Sequence, residues 1–339
     1  APATTPHTPM AENSKIEWCH HTFNPWIGCT KVSEGCAHCY AENSTRARVL
    51  RYRGHETWGK GATRSRTSAA NWKEPLLWNK HITLQCPGCH KLCVCDTLEK
   101  AAFGKCMDCD IYADDMPKIR PRVFCASLAD WLDHEVPMEW LYDLLDLIQR
   151  TPNLDWLLLT KRPENWRSQL LKYREGHWSD RADDFIDSWL DGRAPDNVWI
   201  GATAENQRRF DERYMALADI PAKVRYWSME PLLDSIDFTA VHYDFSFKSK
   251  FHWVITGGES GSKEKARHCH TDDIRDIVSQ CDVFDVPCFV KQLGTNPVAA
   301  GRDQKHLIAM RDKKGGDWTE WPEALRVRQF PKVEGNPHS

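Results

Sequence analysis

The 339-residue chain has no apolar run of the roughly eighteen residues that a membrane-spanning helix needs. Its first nine residues, APATTPHTP, lack the apolar core of a secretory signal. Met10 is placed as an internal start would be, and residues 1–14 are expected to form a disordered leader. A strong excess of charge of either sign is missing too. The net charge is −3, so any electrostatic attraction to a partner has to be local. These absences point to a soluble cytoplasmic protein, and the length supports one large core plus an insert.

Cysteine is abundant, with 14 residues. In a short secreted chain that number suggests disulfides; here most of the cysteines fall in metal-ligand spacings, which favours a reducing compartment. Cys29, Cys36 and Cys39 lie in WIGCTKVSEGCAHCYAE, with gaps of six and two residues, and a helix-forming stretch (40–50) follows. Three thiolates can hold three irons of a [4Fe-4S] cluster and leave the fourth iron an open position. A structural zinc site is the other reading, with Cys19, His20, His21 or His38 as fourth ligand. Cys86, Cys89, Cys106 and Cys109 form two CxxC pairs sixteen residues apart, the spacing of a zinc ribbon, with an iron-sulfur site as the alternative. The segment 84–116 is too small and polar to build its own core, so metal has to supply its folding free energy. Cys93 and Cys95 are spare thiols, substitutes for Cys89, or ligands of another cluster.

Short β-branched or aromatic runs at 15–18, 122–126, 156–160, 198–202, 224–228, 253–256 and 287–291 alternate with helical patterns such as 138–150, 208–218 and 271–280. Repeated strand-then-helix units imply right-handed crossovers and a parallel sheet closing partly or wholly into a barrel. The fold class is therefore α/β, a partial parallel barrel over 15–83 and 117–300, with a ribbon-like insert at 84–116 and a C-terminal extension at 301–339. Polar residues recur after the strands: Ser127 and Asp130; Thr160, Lys161 and Arg162; Thr203, Glu205 and Asn206; Ser228 and Glu230; Gly257, Gly258, Glu259 and Ser260; Lys291 and Gln292. On a barrel these segments meet at one mouth, where chemistry sits; singly, each is also a common turn or helix cap. Lys161 or Arg162 suits a carboxylate, Glu205 and Asn206 suit ribose hydroxyls, and Lys291 suits a phosphate or carboxylate.

Between residues 43 and 80, nine basic side chains face two acidic ones, interleaved with Tyr52, Trp58, Trp72 and Trp78. Arg51, Arg53, Arg64 and Arg66 could track a DNA or RNA backbone while aromatic rings stack on bases; a solvated basic face is the alternative. Cys125, Cys269, Cys281 and Cys288 fall in or near core elements, and Cys269, between His268 and His270, is a candidate radical quencher.

The cysteine triple resembles that of the radical S-adenosylmethionine superfamily, whose usual gaps are three and two. The phrases FNPWIGCTKVSEGCAHCYAE, VITGGESG and PCFVKQLG are similar to those of a phage-associated branch with a wider triple and no established substrate, over most of 15–296. The resemblance implies a partial barrel of six units and a [4Fe-4S] cluster on Cys29, Cys36 and Cys39. S-adenosylmethionine would be cleaved to a 5′-deoxyadenosyl radical, and a reductant such as flavodoxin or ferredoxin would act as partner. It also implies that His38 packs over the cluster or contacts the cofactor, and that Ser228 and Glu230 lie near the cofactor. Gly257, Gly258 and Glu259 resemble the superfamily's segment for the methionine amino group; here they follow the sixth strand instead of the second, which leaves Glu259 as a substrate contact. The expected function is hydrogen abstraction from a nucleic acid or nucleotide. The alternatives are a metal-stabilised nucleic-acid binder and a radical enzyme for a small metabolite.

Overall fold

The computed structural model describes residues 14, 16–89, 91–95, 105–176, 180–239, 247–299 and 306–332. The leader expected over 1–14 thus lies outside the described residues except for Ser14. Seven strands, β1 (His21–Phe23), β2 (Arg122–Cys125), β3 (Asp155–Thr160), β4 (Val198–Thr203), β5 (Val224–Met229), β6 (Trp253–Gly257) and β7 (Cys288–Gln292), form one sheet whose spatial order is the chain order. Every neighbouring pair is parallel, and the sheet curls into a half-barrel. Helices fill the crossovers: α1 (Thr45–Tyr52) and α2 (Ala69–Trp78) after β1, α3 (Met138–Gln149) after β2, α4 (Trp166–Glu175) and α5 (Asp180–Leu190) after β3, α6 (Gln207–Ala218) after β4, and α7 (Thr271–Val283) after β6.

Six of the seven expected strands form within two residues of their sequence-based bounds. The first is displaced. In place of a strand at 15–18, the chain turns there, with the Cys19 amide donating to Ile16 O at 3.2 Å, and pairs only from His21. The turn carries Trp18 into the barrel, where it packs on Phe124 with ring centroids 4.6 Å apart and on Trp253 at 6.3 Å.

Both faces of the sheet are buried, which explains why its strands read as nearly unbroken apolar runs. Alternate residues still separate cleanly. Val123, Trp156, Leu158, Ile200, Trp227, Val254 and Val290 face the helices, whereas Phe124, Leu157, Trp199, Tyr226, Trp253 and Phe289 face inward as an aromatic plug. Gly201 makes room for that plug, because a Cβ there would lie 2.3 Å from the Tyr226 ring. Continuing the inward alternation by two residues from Tyr226 and Phe289 and by four from Leu157 and Trp199 puts Ser228, Lys291, Lys161 and Thr203 above the aromatic layer, at the carboxyl ends of the strands.

The sheet is open between β1 and β7. The described part of the C-terminal extension covers the β7 edge, with Val290 N donating to Val327 O and Gln329 N to Cys288 O, both at 2.8 Å, which removes an unpaired edge. The insert forms a separate antiparallel sheet of Leu92–Cys95, Ile82–Gln85 and Lys118–Ile119. Among the described residues no helix is long and apolar enough to cross a membrane.

Candidate functional site

Leaving β1, the chain is fixed by Asn24, whose Oδ1 accepts from Leu128 N at 2.7 Å and whose Nδ2 donates to Ser127 Oγ at 3.0 Å. Gly28 follows at φ +116°, and a Cβ there would sit 2.2 Å from Thr57 O, so only glycine passes. This passage delivers Cys29, Cys36 and Cys39 to the wall of one cavity of about 350 Å³. Strand-end residues Thr160, Lys161, Thr203, Ser228, Glu230 and Lys291 line the same cavity.

Three further strand-end residues hold the cysteine loop from below. After β3, Arg162 is buried; its Nη1 and Nη2 lie 3.6 and 3.7 Å from Cys29 Sγ, Nη2 donates to Thr30 O at 2.6 Å, and Nη1 pairs with Asp130 at 2.8 Å. After β4, Glu205 is fully buried. It accepts from Ser33 Oγ at 2.7 Å and pairs with Arg213 at 2.9 Å and Lys161 at 3.4 Å. Gly35 rests against it, since a Cβ there would be 2.4 Å from its Oε1. Glu259, after β6, meets His38 Nδ1 at 3.2 Å and Arg267 at 2.5 Å, and Arg267 in turn donates to Glu34 O at 2.8 Å.

Electrostatics at the triple are mixed. Burial pushes the Cys29 thiol up to about 12; Asp130 adds to the shift and the Arg162 guanidinium opposes it. Burial also raises Cys39, against the amides of Glu42 and Ala41. Binding a metal therefore has to displace protons from these thiols, and the N–H groups aimed at the sulfurs are the donors a bound thiolate needs.

Several expected roles change. Arg162 is committed to Cys29 and Asp130, so of the two proposed carboxylate contacts Lys161 is the one on the cavity wall. Glu205 has its oxygens occupied by side-chain donors and positions the loop instead of meeting ribose hydroxyls. Asn206 caps α6, accepting from Arg209 N at 3.1 Å, the ordinary fate of such a residue. Gly257 and Gly258 serve close packing: added Cβ atoms would be 2.9 Å from Gln292 O and 2.2 Å from Leu293 O. Glu259, read as cofactor or substrate contact, is spent on His38 and Arg267. His38 itself is turned to that carboxylate. Cys269 is buried beneath Gly258 and off the cavity wall, which does not suit a quencher. Ser228, Glu230 and Lys291 do reach the cavity. Tyr40, Lys31 and Lys314 also line it; no sequence signal marked them, because tertiary packing alone brings a loop and the C-terminal segment to the strand ends.

The model of a family described as protein of unknown function (DUF5131) matches residues 13–322. The chain belongs to this family. No curated protein and no solved structure matches it.

In this family member the second cysteine group has the geometry of a single-ion site. The sulfurs of Cys86, Cys89, Cys106 and Cys109 all lie within 4.8 Å of one another, against the roughly 3.8 Å between ligands that Zn–S bonds of about 2.3 Å set in a tetrahedron. Amides of Cys89 and Gly88 aimed at the Cys86 sulfur bring its thiol down to about 7. Cys93 and Cys95 stand outside the quartet on the neighbouring strand, with Cys95 Sγ donating to Ile82 O at 3.5 Å. The four thiolates can hold a metal ion. Because, among the described residues, the insert's buried apolar cluster is Leu84, Cys86, Ala113 and Met116 with partly buried neighbours, Cys86→Ser is expected to lose one metal equivalent and to loosen the insert; metal analysis beside limited proteolysis checks both.

The first triple forms no such compact group among the described residues. None of the four suggested fourth zinc ligands joins it. Cys19 donates to Ser14 Oγ at 3.3 Å, His20 Nδ1 accepts from Arg122 N at 2.8 Å, His21 stacks on Trp78 at 4.3 Å, and His38 is held by Glu259. The three thiols thus line a shared cavity without the single-ion spacing of the quartet.

The basic run does not form one surface. Arg64, expected to contact phosphate, is buried, pairing with Asp133 at 2.9 Å and Glu135 at 2.8 Å. Arg66 pairs with Asp143 and lies over the Trp72 ring at 4.3 Å. Arg46, Arg48, Arg51 and Arg53 remain exposed along α1 and its end beside Tyr52, while Trp58 lines the cavity.

Proposed function

We propose that the chain is a radical S-adenosylmethionine enzyme acting on a nucleic acid or nucleotide. The observation that carries this reading is the convergence of Cys29, Cys36 and Cys39 on a cavity at the carboxyl ends of a parallel half-barrel, the end where such folds place their chemistry. Cys29, Cys36 and Cys39 would hold a [4Fe-4S] cluster there, and that cluster would supply the electron for reductive cleavage of S-adenosylmethionine. The chain's own residues then act around it. Arg162 donates to the Cys29 sulfur, Glu205 and Glu259 fix the loop, and Lys161 offers a cation to a carboxylate. The aromatic plug below closes the barrel against water. At about 350 Å³ the cavity has the size of a site for one small ligand, roughly 300–1,000 Å³, so a nucleotide of a strand would be presented at its mouth.

Anaerobic reconstitution with iron and sulfide, followed by dithionite and S-adenosylmethionine, should release 5′-deoxyadenosine. A protein that takes up zinc at both cysteine groups and forms no brown chromophore is instead a metal-stabilised nucleic-acid binder. That second reading is favoured only by the arginines of α1. Replacing Arg46, Arg48 and Arg53 by Ala should flatten the salt dependence of oligonucleotide binding, each lost phosphate contact removing roughly 0.7–0.9 from the slope of log affinity against log salt. An unchanged slope assigns these arginines to a solvated face.

A further inference from the structure

One wall of the cavity carries groups for which the scheme above has no use. Lys314 lines it from the C-terminal segment, and among the described residues no carboxylate pairs with its ammonium. Its backbone is firmly placed. The Lys314 and Gly316 amides donate to Asp312 Oδ1 at 2.9 and 2.8 Å. Gly315 O accepts from Leu293 N and from Trp321 Nε1, both at 2.9 Å, and a Cβ on Gly315 would be 2.7 Å from Gly294 O. The turn is thereby locked onto the segment after β7, which bears the second cation, Lys291. The Lys291 ammonium is held by Glu230 at 3.0 Å. Ser228 and Ser260 line the same cavity, and among the described residues neither hydroxyl has a hydrogen-bond partner although Ser228 is only 2% exposed. Two lysines and two unused hydroxyls line one space; of the carboxylates on the same wall, Glu230 pairs with Lys291 and Asp130 with Arg162, and Glu17 stands beside them.

We infer that Lys291, Lys314, Ser228 and Ser260 form a subsite for a phosphate group of the substrate. Point-charge ammonium donors with rotatable hydroxyls suit the spread charge of a phosphate, whereas a carboxylate is best met by a guanidinium fork. The guanidinium of Arg162, at the same strand ends, is already occupied by Asp130, Cys29 and Thr30. This subsite rests on the proposed reading for its role in catalysis, but phosphate binding itself needs no cluster.

Calorimetric titration of the full chain with thymidine, thymidine 5′-monophosphate and a short oligothymidylate tests it. The monophosphate is expected to bind about tenfold more tightly than the nucleoside, a factor worth about 1.4 kcal/mol, and Lys314→Ala should remove most of that preference. Lys314 is exposed, so this variant should fold, and Lys291→Arg serves where Lys291→Ala does not. A still tighter oligothymidylate with the same dependence on Lys314 supports the subsite and identifies strand phosphate as its source; a tighter free monophosphate supports it and identifies the nucleotide. Equal binding of nucleoside and monophosphate overturns the inference, as does a preference that survives in both lysine variants. Iron content is measured on the same preparations, so loss of the subsite is told apart from loss of the cluster.

Discussion

Anaerobically purified protein is expected to hold roughly four irons per chain at the barrel mouth, the content of one [4Fe-4S] cluster, and the triple variant Cys29→Ala, Cys36→Ala, Cys39→Ala to hold none of them. The expectation follows from three sulfurs on one cavity wall, a guanidinium directed at the first of them, and, among the described residues, no histidine or further cysteine lining that wall. Metal at Cys86, Cys89, Cys106 and Cys109 should survive, because those four sulfurs lie within 4.8 Å of one another beside a separate sheet. Iron analysis together with the visible absorption spectrum reads the result. A triple variant that keeps its iron would place the cluster elsewhere and remove the basis of the proposed chemistry.

The second large effect is expected at Glu205. Glu205→Ala leaves the Arg213 guanidinium buried without its carboxylate, frees Lys161, and removes the acceptor of Ser33 beside Gly35. Removing one member of a buried ion pair costs about 3–5 kcal/mol, so the denaturation midpoint should fall sharply. The variant should also load iron poorly with all three cysteines in place. A loss below about 1 kcal/mol, the size of an exposed ion pair, would show that the clamp does not hold the loop. The pH dependence has a defined sign. Burial tends to raise the Glu205 pKa, but Lys161, Arg213 and the Ser33 hydroxyl outweigh it and hold the carboxyl below its ordinary value. Its contribution is therefore complete above the unfolded pKa, about 4.3, and is lost as pH falls through the lower folded value. Glu205→Gln should abolish that part of the acid unfolding.

The family match covers nearly the whole half-barrel, the insert and the cavity wall, so the arrangement described here offers residues on which a shared activity can be tested. The functional question reduces to two separable measurements: iron at the cysteine triple and phosphate preference at Lys291 and Lys314.

The parallel α/β architecture was legible in the residue pattern, because strands buried on both faces must be continuously apolar and each must be followed by a crossover. The sequence also marked the group of Cys86, Cys89, Cys106 and Cys109, since ligand spacing within a knuckle is local. What it left undecided was the use of single polar residues. Glu205, Asn206, Glu259 and Arg162 all follow strands, yet one caps a helix and three are turned under the cysteine loop. That choice depends on contacts separated by 130 residues or more for Arg162 with Cys29 and by 172 for Glu205 with Ser33, a distance over which no periodicity carries information. The basic run shows the same limit. Charge is visible in a sequence, but whether Arg64 meets solvent or the buried carboxylate of Asp133 is decided only when the chain folds, because burying a guanidinium is tolerable solely where a partner carboxylate awaits it.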